Sequence, residues 1–374
     1  MTYAFDNRQA KGTALYARKL TEKLIEDGKL DLFLVHYDEV TDPIYKKANE
    51  IIMPKIKLPY GSRFVRQLLF YYKYRNNKFD IIHWFQPRLY PFFWLAPAKK
   101  MIVTAHGAAD ITSLTTKKSR VFSRDVFNFL MIYFNKYLSA IIAVSDFGKK
   151  EIVEHYRAVP EKVFTIYNGG SEDFNLMDKD QALVLMKQNY DIDSPFILDI
   201  SRMEPHKNVG KLVQAYFIFR RKYNIKHKLV IVGNRASEGE KILTMIENSD
   251  FKDDIKIIDF VKGEDLNALY SASDLFVFPS LNEGFGLPVV ESMASGTAVI
   301  TSNITALPEM AGEAAVTVSP TDATGLAEAM FSVLSDDKKK QELVERGLKR
   351  AREFTWSKTA EATENLYSDV LNNC

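Results

Sequence analysis

The chain has 374 residues, enough for two domains of ordinary size, and its 46% hydrophobic and 26% charged content is that of a globular protein rather than a disordered one. The single cysteine, Cys374, is the last residue, which excludes an internal disulfide and a cysteine-held zinc site and suits a reducing compartment. The opening Met1-Thr2-Tyr3-Ala4-Phe5-Asp6-Asn7-Arg8 has no signal-peptide core, and the apolar run Leu89 to Ala98 is far short of the ~20 residues that span a bilayer, so a cytoplasmic chain is expected.

The net charge of +2 conceals an asymmetry. Residues 1–190 carry 29 Lys+Arg against 20 Asp+Glu, a net +9, and residues 191–374 carry 21 against 28, a net −7. Residues 51–150 alone hold 17 basic and 4 acidic side chains together with 20 of the 46 aromatics. A basic face of this kind suits an anionic partner: membrane lipid, nucleic acid or a phosphorylated substrate.

In chain order, apolar runs read as strands at Thr2–Phe5, Leu32–Tyr37, Ile81–Phe85, Met101–Ala105, Ala140–Val144 and Val163–Tyr167. They continue at Phe196–Ile200, Lys228–Val232, Ile255–Asp259, Leu275–Pro279, Ala298–Thr301 and Ala315–Val318. Helical periodicity marks Gly12 to Ile25, Val209 to Tyr223, Gly239 to Asn248, Asp265 to Ser271, Pro288 to Ala294 and a long run from Thr324 to Phe354. Continuous apolar strands alternating with helices predict two Rossmann-like, doubly wound α/β domains. Turn residues Asn168-Gly169-Gly170-Ser171 and the polar stretch to Ser194 place the seam between them. The expected division is 1–175, 190–355 and a C-terminal helix 356–374 returning toward the first domain, with ligands bound where the carboxyl ends of the sheets face a cleft.

The strongest local feature follows the strand at Leu275: Asn282-Glu283-Gly284-Phe285-Gly286-Leu287-Pro288-Val289-Val290-Glu291. The glycines permit a sharp turn with accessible amides, and Pro288 suits a first helical position. The positive helix end then faces the loop, where phosphate binds readily. Glu291 falls one turn in, within reach of paired hydroxyls such as those of a ribose, and Glu283 sits at the strand end. A surface glutamate beside a tight turn fits the same residues. The strand at Phe196 leads into Ser201-Arg202-Met203-Glu204-Pro205-His206-Lys207-Asn208, where Arg202 and Lys207 offer cations for a pyrophosphate. Ion pairs with Glu204 are the alternative.

Together these blocks resemble the donor site of the retaining family 4 (group 1) glycosyltransferases, which have the GT-B fold. The resemblance extends through Ala294-Ser295-Gly296-Thr297-Ala298-Val299-Ile300 and Pro308-Glu309, and more loosely through Lys11-Gly12-Thr13-Ala14-Leu15-Tyr16, Thr104-Ala105-His106-Gly107, Val144-Ser145-Asp146-Phe147-Gly148-Lys149, Pro160-Glu161-Lys162-Val163 and Tyr167-Asn168-Gly169. It implies two Rossmann-like domains facing across a cleft and a nucleotide diphosphate sugar, UDP- or GDP-linked, as donor. By the same resemblance Arg202 and Lys207 hold the pyrophosphate, amides around Phe285, Gly286 and Leu287 touch the donor, and Glu291 holds the ribose. Glu283 contacts the transferring sugar, His106 reaches it from the other domain, and Gly12 lets the first loop approach the phosphates. Gly233 and the backbone near Phe260 and Val261 are candidates for the base. Lys11 stands where the family commonly has a second glycine.

Asp178-Lys179-Asp180 and Asp191-Ile192-Asp193 spell Asp-x-Asp, but both fall in the expected linker, and no metal is expected because Arg202, Lys207 and the helix start can supply the positive charge. No cofactor is expected either. Without the resemblance, His106 reads equally well as a strand-end histidine bonded to backbone.

Arg63, Arg66, Lys73, Arg75 and Lys78 interleave with Phe64, Leu68, Leu69, Phe70, Tyr71, Tyr72 and Tyr74, and Lys117, Lys118, Arg120 and Arg124 precede Phe122, Phe127, Phe129, Leu130, Tyr133, Phe134 and Tyr137. Residues 62–79 and 117–138 are thus candidates for an anionic membrane surface or a lipid-phosphate acceptor, against a solvated basic face over core helices. Nucleic acid is disfavoured, since no recognised binding motif accompanies the charge. The reading is a retaining hexosyltransferase acting on a glycan or lipid-linked saccharide in cell-surface polysaccharide assembly; the resemblance implies mannose or glucose as the sugar. A non-catalytic nucleotide-sugar-binding subunit and a GT-B epimerase remain open alternatives.

Overall fold

The computed structural model describes residues 12–37, 42–53, 56, 62–86, 89, 91–107 and 128–372. The expected strand at Thr2–Phe5, together with Lys11, Lys117, Lys118, Arg120, Phe122, Arg124, Phe127 and Cys374, lies outside them. The chain divides into two compact units, one of residues 1–169 and 356–374, the other of residues 170–355.

In the first unit, β1 (Phe33–Tyr37) pairs in parallel with β2 (Asn49–Met53), and β3 (Phe79–Trp84), β4 (Ala98–Ala105), β5 (Ala140–Ala143) and β6 (Val163–Thr165) form a four-stranded parallel sheet in that order. Strands buried on both faces must be apolar throughout, as Ala140-Ile141-Ile142-Ala143 is. Helices Thr13–Asp27, Ser62–Tyr74, Asp146–Tyr156 and Trp356–Asn372 belong to this unit. Thr13–Asp27 buries Tyr16, Ala17, Leu20 and Leu24, at the i, i+1, i+4 and i+8 positions of one face, against a cluster that includes Trp356 and Ala360 of the last helix.

The second unit has six parallel strands: β7 (Phe196–Ile200), β8 (Lys228–Val232), β9 (Ile255–Ile258), β10 (Leu275–Phe278), β11 (Val299–Ser302) and β12 (Val316–Val318). Their order is β12-β11-β10-β7-β8-β9, the doubly wound arrangement in which the chain leaves β7 toward one edge and returns at β10 to build toward the other. Helix Val209–Lys222 covers one face with Leu212, Val213, Tyr216 and Phe219, and helix Ala323–Leu334 adds Leu326, Met330 and Val333. Side chains buried this fully contribute about 1.5–3 kcal/mol each.

Several details go beyond or depart from the sequence reading. β2 was not expected; its Asn49 and Glu50 are exposed at an edge and interrupt the apolar run. The stretch read as linker holds helix Lys179–Tyr190, capped by the Asp178 carboxylate accepting from the Gln181 amide. The long run from Thr324 breaks at Ser335-Asp336, where Asp336 caps the separate helix Asp337–Ala351. In helix Ser62–Tyr74 the interleaved residues divide by face: Phe70, Tyr71 and Arg66 are core, with Arg66 over the Tyr37 ring, while Arg63, Leu69, Tyr72 and Lys73 are exposed.

Candidate active site

The second unit places its candidate residues at the carboxyl ends of β7 and β10, the neighbouring strands at which the winding reverses; ligands of open α/β sheets bind at such a point. The loop after β7 runs through the short 3-10 turn Pro205–Lys207, and Asn208 follows with φ 61°. Asparagine tolerates this left-handed backbone, and its side-chain amide donates to the carbonyls of Pro279, at 3.0 Å, and Pro320, at 2.8 Å. The Leu281 amide and the Ser280 hydroxyl both donate to the His206 carbonyl, at 2.7 and 2.9 Å. The two loops are therefore stitched together by hydrogen bonds on both sides of Lys207.

Lys207 and Glu283 meet there. The ammonium donates to Glu283 Oε1 at 2.5 Å and lies 5.2 Å from the centre of the Phe278 ring. Both side chains are largely buried, at 20% and 14% exposure, so this pair is weakly screened. Three residues beyond Glu283, Gly286 caps helix Leu287–Ala294 with φ 101°. A side chain would be strained at that φ, which explains glycine at the cap. The helix begins at Leu287, one residue before the Pro288 expected from sequence, and proline takes its second position. Phe285 turns inward against Phe354, their rings 5.7 Å apart, so only its backbone can serve a ligand.

Arg202 is not part of that pair. Its guanidinium bonds Glu204 at 2.9 Å and, through Nε, Asn234 at 3.2 Å, while remaining largely exposed. It stands beside the loop that follows β8. Gly233, at the end of β8, lies so close to the β7 loop that a Cβ would sit 2.0 Å from the Ser201 carbonyl oxygen. Beyond β9, Phe260 is exposed and Val261 buried. Glu291 is buried on the second turn of its helix and accepts from the Tyr270 hydroxyl at 2.9 Å, an orienting bond that the sequence did not disclose.

Sequence reasoning also missed Asp199. It is fully buried on β7 and accepts from the Ser201 hydroxyl at 2.6 Å; Oδ1 has no hydrogen-bond partner among the described residues. Burial pushes its carboxyl up to about 7, opposed by the Ser201 bond and the charge of Lys207.

In the first unit, Gly12 caps helix Thr13–Asp27 with φ 69°, and a Cβ there would meet nothing within 4 Å among the described residues. Four residues on, the Tyr16 ring stands edge-on to His106, 4.8 Å between centres. His106 Nε2 lies 2.9 Å from the Phe85 carbonyl. A carbonyl only accepts, so Nε2 carries the proton. Burial pushes the imidazole down to about 4, so near neutrality the ring is uncharged and Nδ1 is an acceptor.

Among the described residues, no group of three His, Cys, Asp or Glu is disposed to hold a metal ion, and no helix is long and apolar enough to cross a membrane. What the second unit assembles is a buried cation, a carboxylate and a helix start at a sheet's switch point. Open α/β sheets bind their ligands at such a point, and a helix start there favours an anion. Two family models match the chain in turn: Glycosyltransferase Family 4 over residues 10–173 and Glycosyl transferases group 1 over residues 185–350. The chain belongs to these glycosyltransferases. Over 227 residues it is 31% identical to an O-antigen chain mannosyltransferase B of Escherichia coli, covering 61% of this chain and 60% of that protein. It is 32% identical over 254 residues to the serotype-specific mannosyltransferase WbdA of Escherichia coli, covering 66% of this chain and 31% of that one. The chain thus matches less than two thirds of the length of either. Anabaena HepE, solved in complex with UDP-glucose, superposes with a TM-score of 0.74 at 15% identity over 97% of this chain and 98% of that one, which establishes the GT-B fold.

Proposed function

We propose that the chain transfers a hexosyl unit, of mannose or glucose type, from a UDP- or GDP-sugar to a hydroxyl of a glycan or lipid-linked saccharide in cell-surface polysaccharide assembly, retaining the anomeric configuration. The observation that carries the reading is the Lys207–Glu283 pair, held at 2.5 Å beside the start of helix Leu287–Ala294. O-antigen mannosyltransferases among the relatives support the direction of the assignment.

In this reading Lys207 and the helix start take the donor diphosphate, and Arg202 gives up Glu204 to reach it from the other side. Together they supply the positive charge that a metal would otherwise bring. Glu283, relieved of Lys207, faces the developing positive charge of the sugar. Glu291, oriented by Tyr270, takes the ribose hydroxyls, and the ends of β8 and β9 at Gly233, Phe260 and Val261 accommodate the base. Gly12 leaves room for phosphate at the first loop, and His106 accepts a hydrogen bond from a sugar hydroxyl through Nδ1. The acceptor oxygen attacks the anomeric carbon on the face the diphosphate leaves. The carbon–oxygen bond to phosphate breaks, and the acceptor proton passes to the departing phosphate oxygen, giving a glycoside and a nucleoside diphosphate. The exposed Leu69, Tyr72, Phe129, Tyr133 and Tyr137, among basic side chains, suit peripheral contact with an anionic membrane surface at the cytoplasmic face.

Incubation of the purified chain with GDP-mannose, UDP-glucose and UDP-galactose, with and without a mannan oligosaccharide, tests this. The expected result is nucleoside diphosphate released with one donor and an extended oligosaccharide of retained configuration. An altered sugar nucleotide formed without acceptor, or binding with no turnover of any donor, overturns it.

A further inference from the structure

The first unit contains a buried chain of hydrogen bonds that the mechanism above leaves unused. The Tyr367 hydroxyl lies 2.6 Å from His83 Nδ1, His83 Nε2 lies 2.7 Å from the Thr104 hydroxyl, and that hydroxyl lies 3.0 Å from the Tyr16 hydroxyl. Four elements are joined: the last helix, β3, β4 and helix Thr13–Asp27. All four residues are buried, Tyr16 and Thr104 completely. Burial holds the His83 imidazole well below its ordinary range and the Tyr16 and Tyr367 hydroxyls well above theirs, so every member is neutral. A neutral imidazole has one donor and one acceptor, which a hydroxyl on each side satisfies in either sense.

These bonds lead to His106. Thr104 is the penultimate residue of β4, and His106 follows one residue past the strand's end, two positions on from Thr104. Tyr16, whose hydroxyl is tied to Thr104, sets its ring edge-on against the His106 ring at 80°. Phe85, whose carbonyl accepts from the His106 Nε2–H, packs its own ring on His83 at 4.8 Å and on Tyr16 at 6.1 Å. Among the described residues, the two contacts on His106 thus come from a member of the buried chain, Tyr16, and from Phe85, which packs on it. An apolar filling of the same volume would pack as densely but would not fix ring rotation; directional bonds whose loss strands a buried polar atom do.

We propose that Thr104 and His83 are positioning residues for His106: through Tyr16 and Phe85 they hold its ring as the Nε2–H tautomer, leaving Nδ1 to accept from a sugar hydroxyl. The proposal rests on the reading of His106 as a sugar-contacting residue, but its first readout is independent of activity. The six histidines of the full chain, labelled with nitrogen-15, are observed by NMR at pH 7.5, and the His106 signals are identified by their loss in His106→Gln. Thr104→Val keeps the side-chain shape and removes the hydroxyl, Thr104→Ser keeps the hydroxyl, and Tyr367→Phe cuts the chain at its far end should Thr104→Val fold poorly. The wild type is expected to show one neutral tautomer at His106. In Thr104→Val and Tyr367→Phe the tautomers mix, and kcat falls about tenfold with donor KM within about twofold, while Thr104→Ser restores both. A folded Thr104→Val that retains the single tautomer overturns the proposal, as does a kcat loss that disappears when rates are divided by the folded fraction. Wild-type turnover by His106→Gln would instead remove the sugar contact and leave the tautomer result standing.

Discussion

The Lys207 ammonium donates to the Glu283 carboxylate at 2.5 Å across the ends of two adjacent strands, β7 and β10. Without a ligand the pair neutralises itself, and neither charge is stranded in a largely buried place. A diphosphate entering beside Lys207 would compete with Glu283 for the ammonium and release the carboxylate just where a sugar cation needs it. In the proposed reading, the contact that neutralises both charges in the free protein is the one the donor displaces.

Lys207→Ala and Glu283→Gln are therefore expected to lower kcat by about two to three orders of magnitude, the scale of losing one charge-stabilising group in an active site. Circular dichroism should show the fold retained. In denaturant unfolding, Lys207→Ala alone leaves a buried carboxylate uncompensated, so the Lys207→Ala/Glu283→Gln double variant should be more stable than the sum of the single changes implies.

Asp199 predicts a pH dependence of stability. Its folded carboxyl titrates at about 7 rather than 3.8, so between these values the unfolded chain has lost a proton that the folded chain retains. Stability from this group is therefore highest below pH 4, falls as pH rises toward 7, and is constant above, at ~1.4 kcal/mol for each pKa unit. A side-chain amide at this position cannot ionise in either state. The substitution Asp199→Asn should accordingly raise the melting temperature more at pH 8 than at pH 5. An equal change at both values would show that Asp199 is not held protonated.

Gly233→Ala would drive a methyl group into the Ser201 carbonyl at 2.0 Å, and the obstacle is backbone. The strands can separate only by moving the loop that carries Arg202. A loss of about 1–3 kcal/mol is expected in urea unfolding, with an unchanged slope, together with weaker donor binding.

Much of the second unit was legible in the sequence because its central strands are buried on both faces and so read as unbroken apolar runs; β7 and β8 fall where Phe196–Ile200 and Lys228–Val232 predicted them. β2 was not, since an edge strand needs only one apolar face. Helix Lys179–Tyr190 was hidden by its polar exposed face and by Asp178, whose capping role imitates a loop residue. At the site, the motifs identified Lys207 and Glu283 but could not show that they touch. Arg202 carried the same motif weight, yet its side chain turns to Glu204 and Asn234. Tyr270 and the His83–Thr104 contact were illegible because they join residues far apart in sequence through side chains that look like ordinary core.

Isothermal titration of the purified chain with UDP and GDP, and with UMP and GMP, tests the central claim most directly. If Lys207, Arg202 and the start of helix Leu287–Ala294 form a diphosphate site, one diphosphate should bind at least tenfold more tightly than its monophosphate, and Lys207→Ala should abolish that preference, a difference of about 1.4 kcal/mol. Equal affinity for mono- and diphosphates in the wild type, or a preference unchanged in Lys207→Ala, would contradict it.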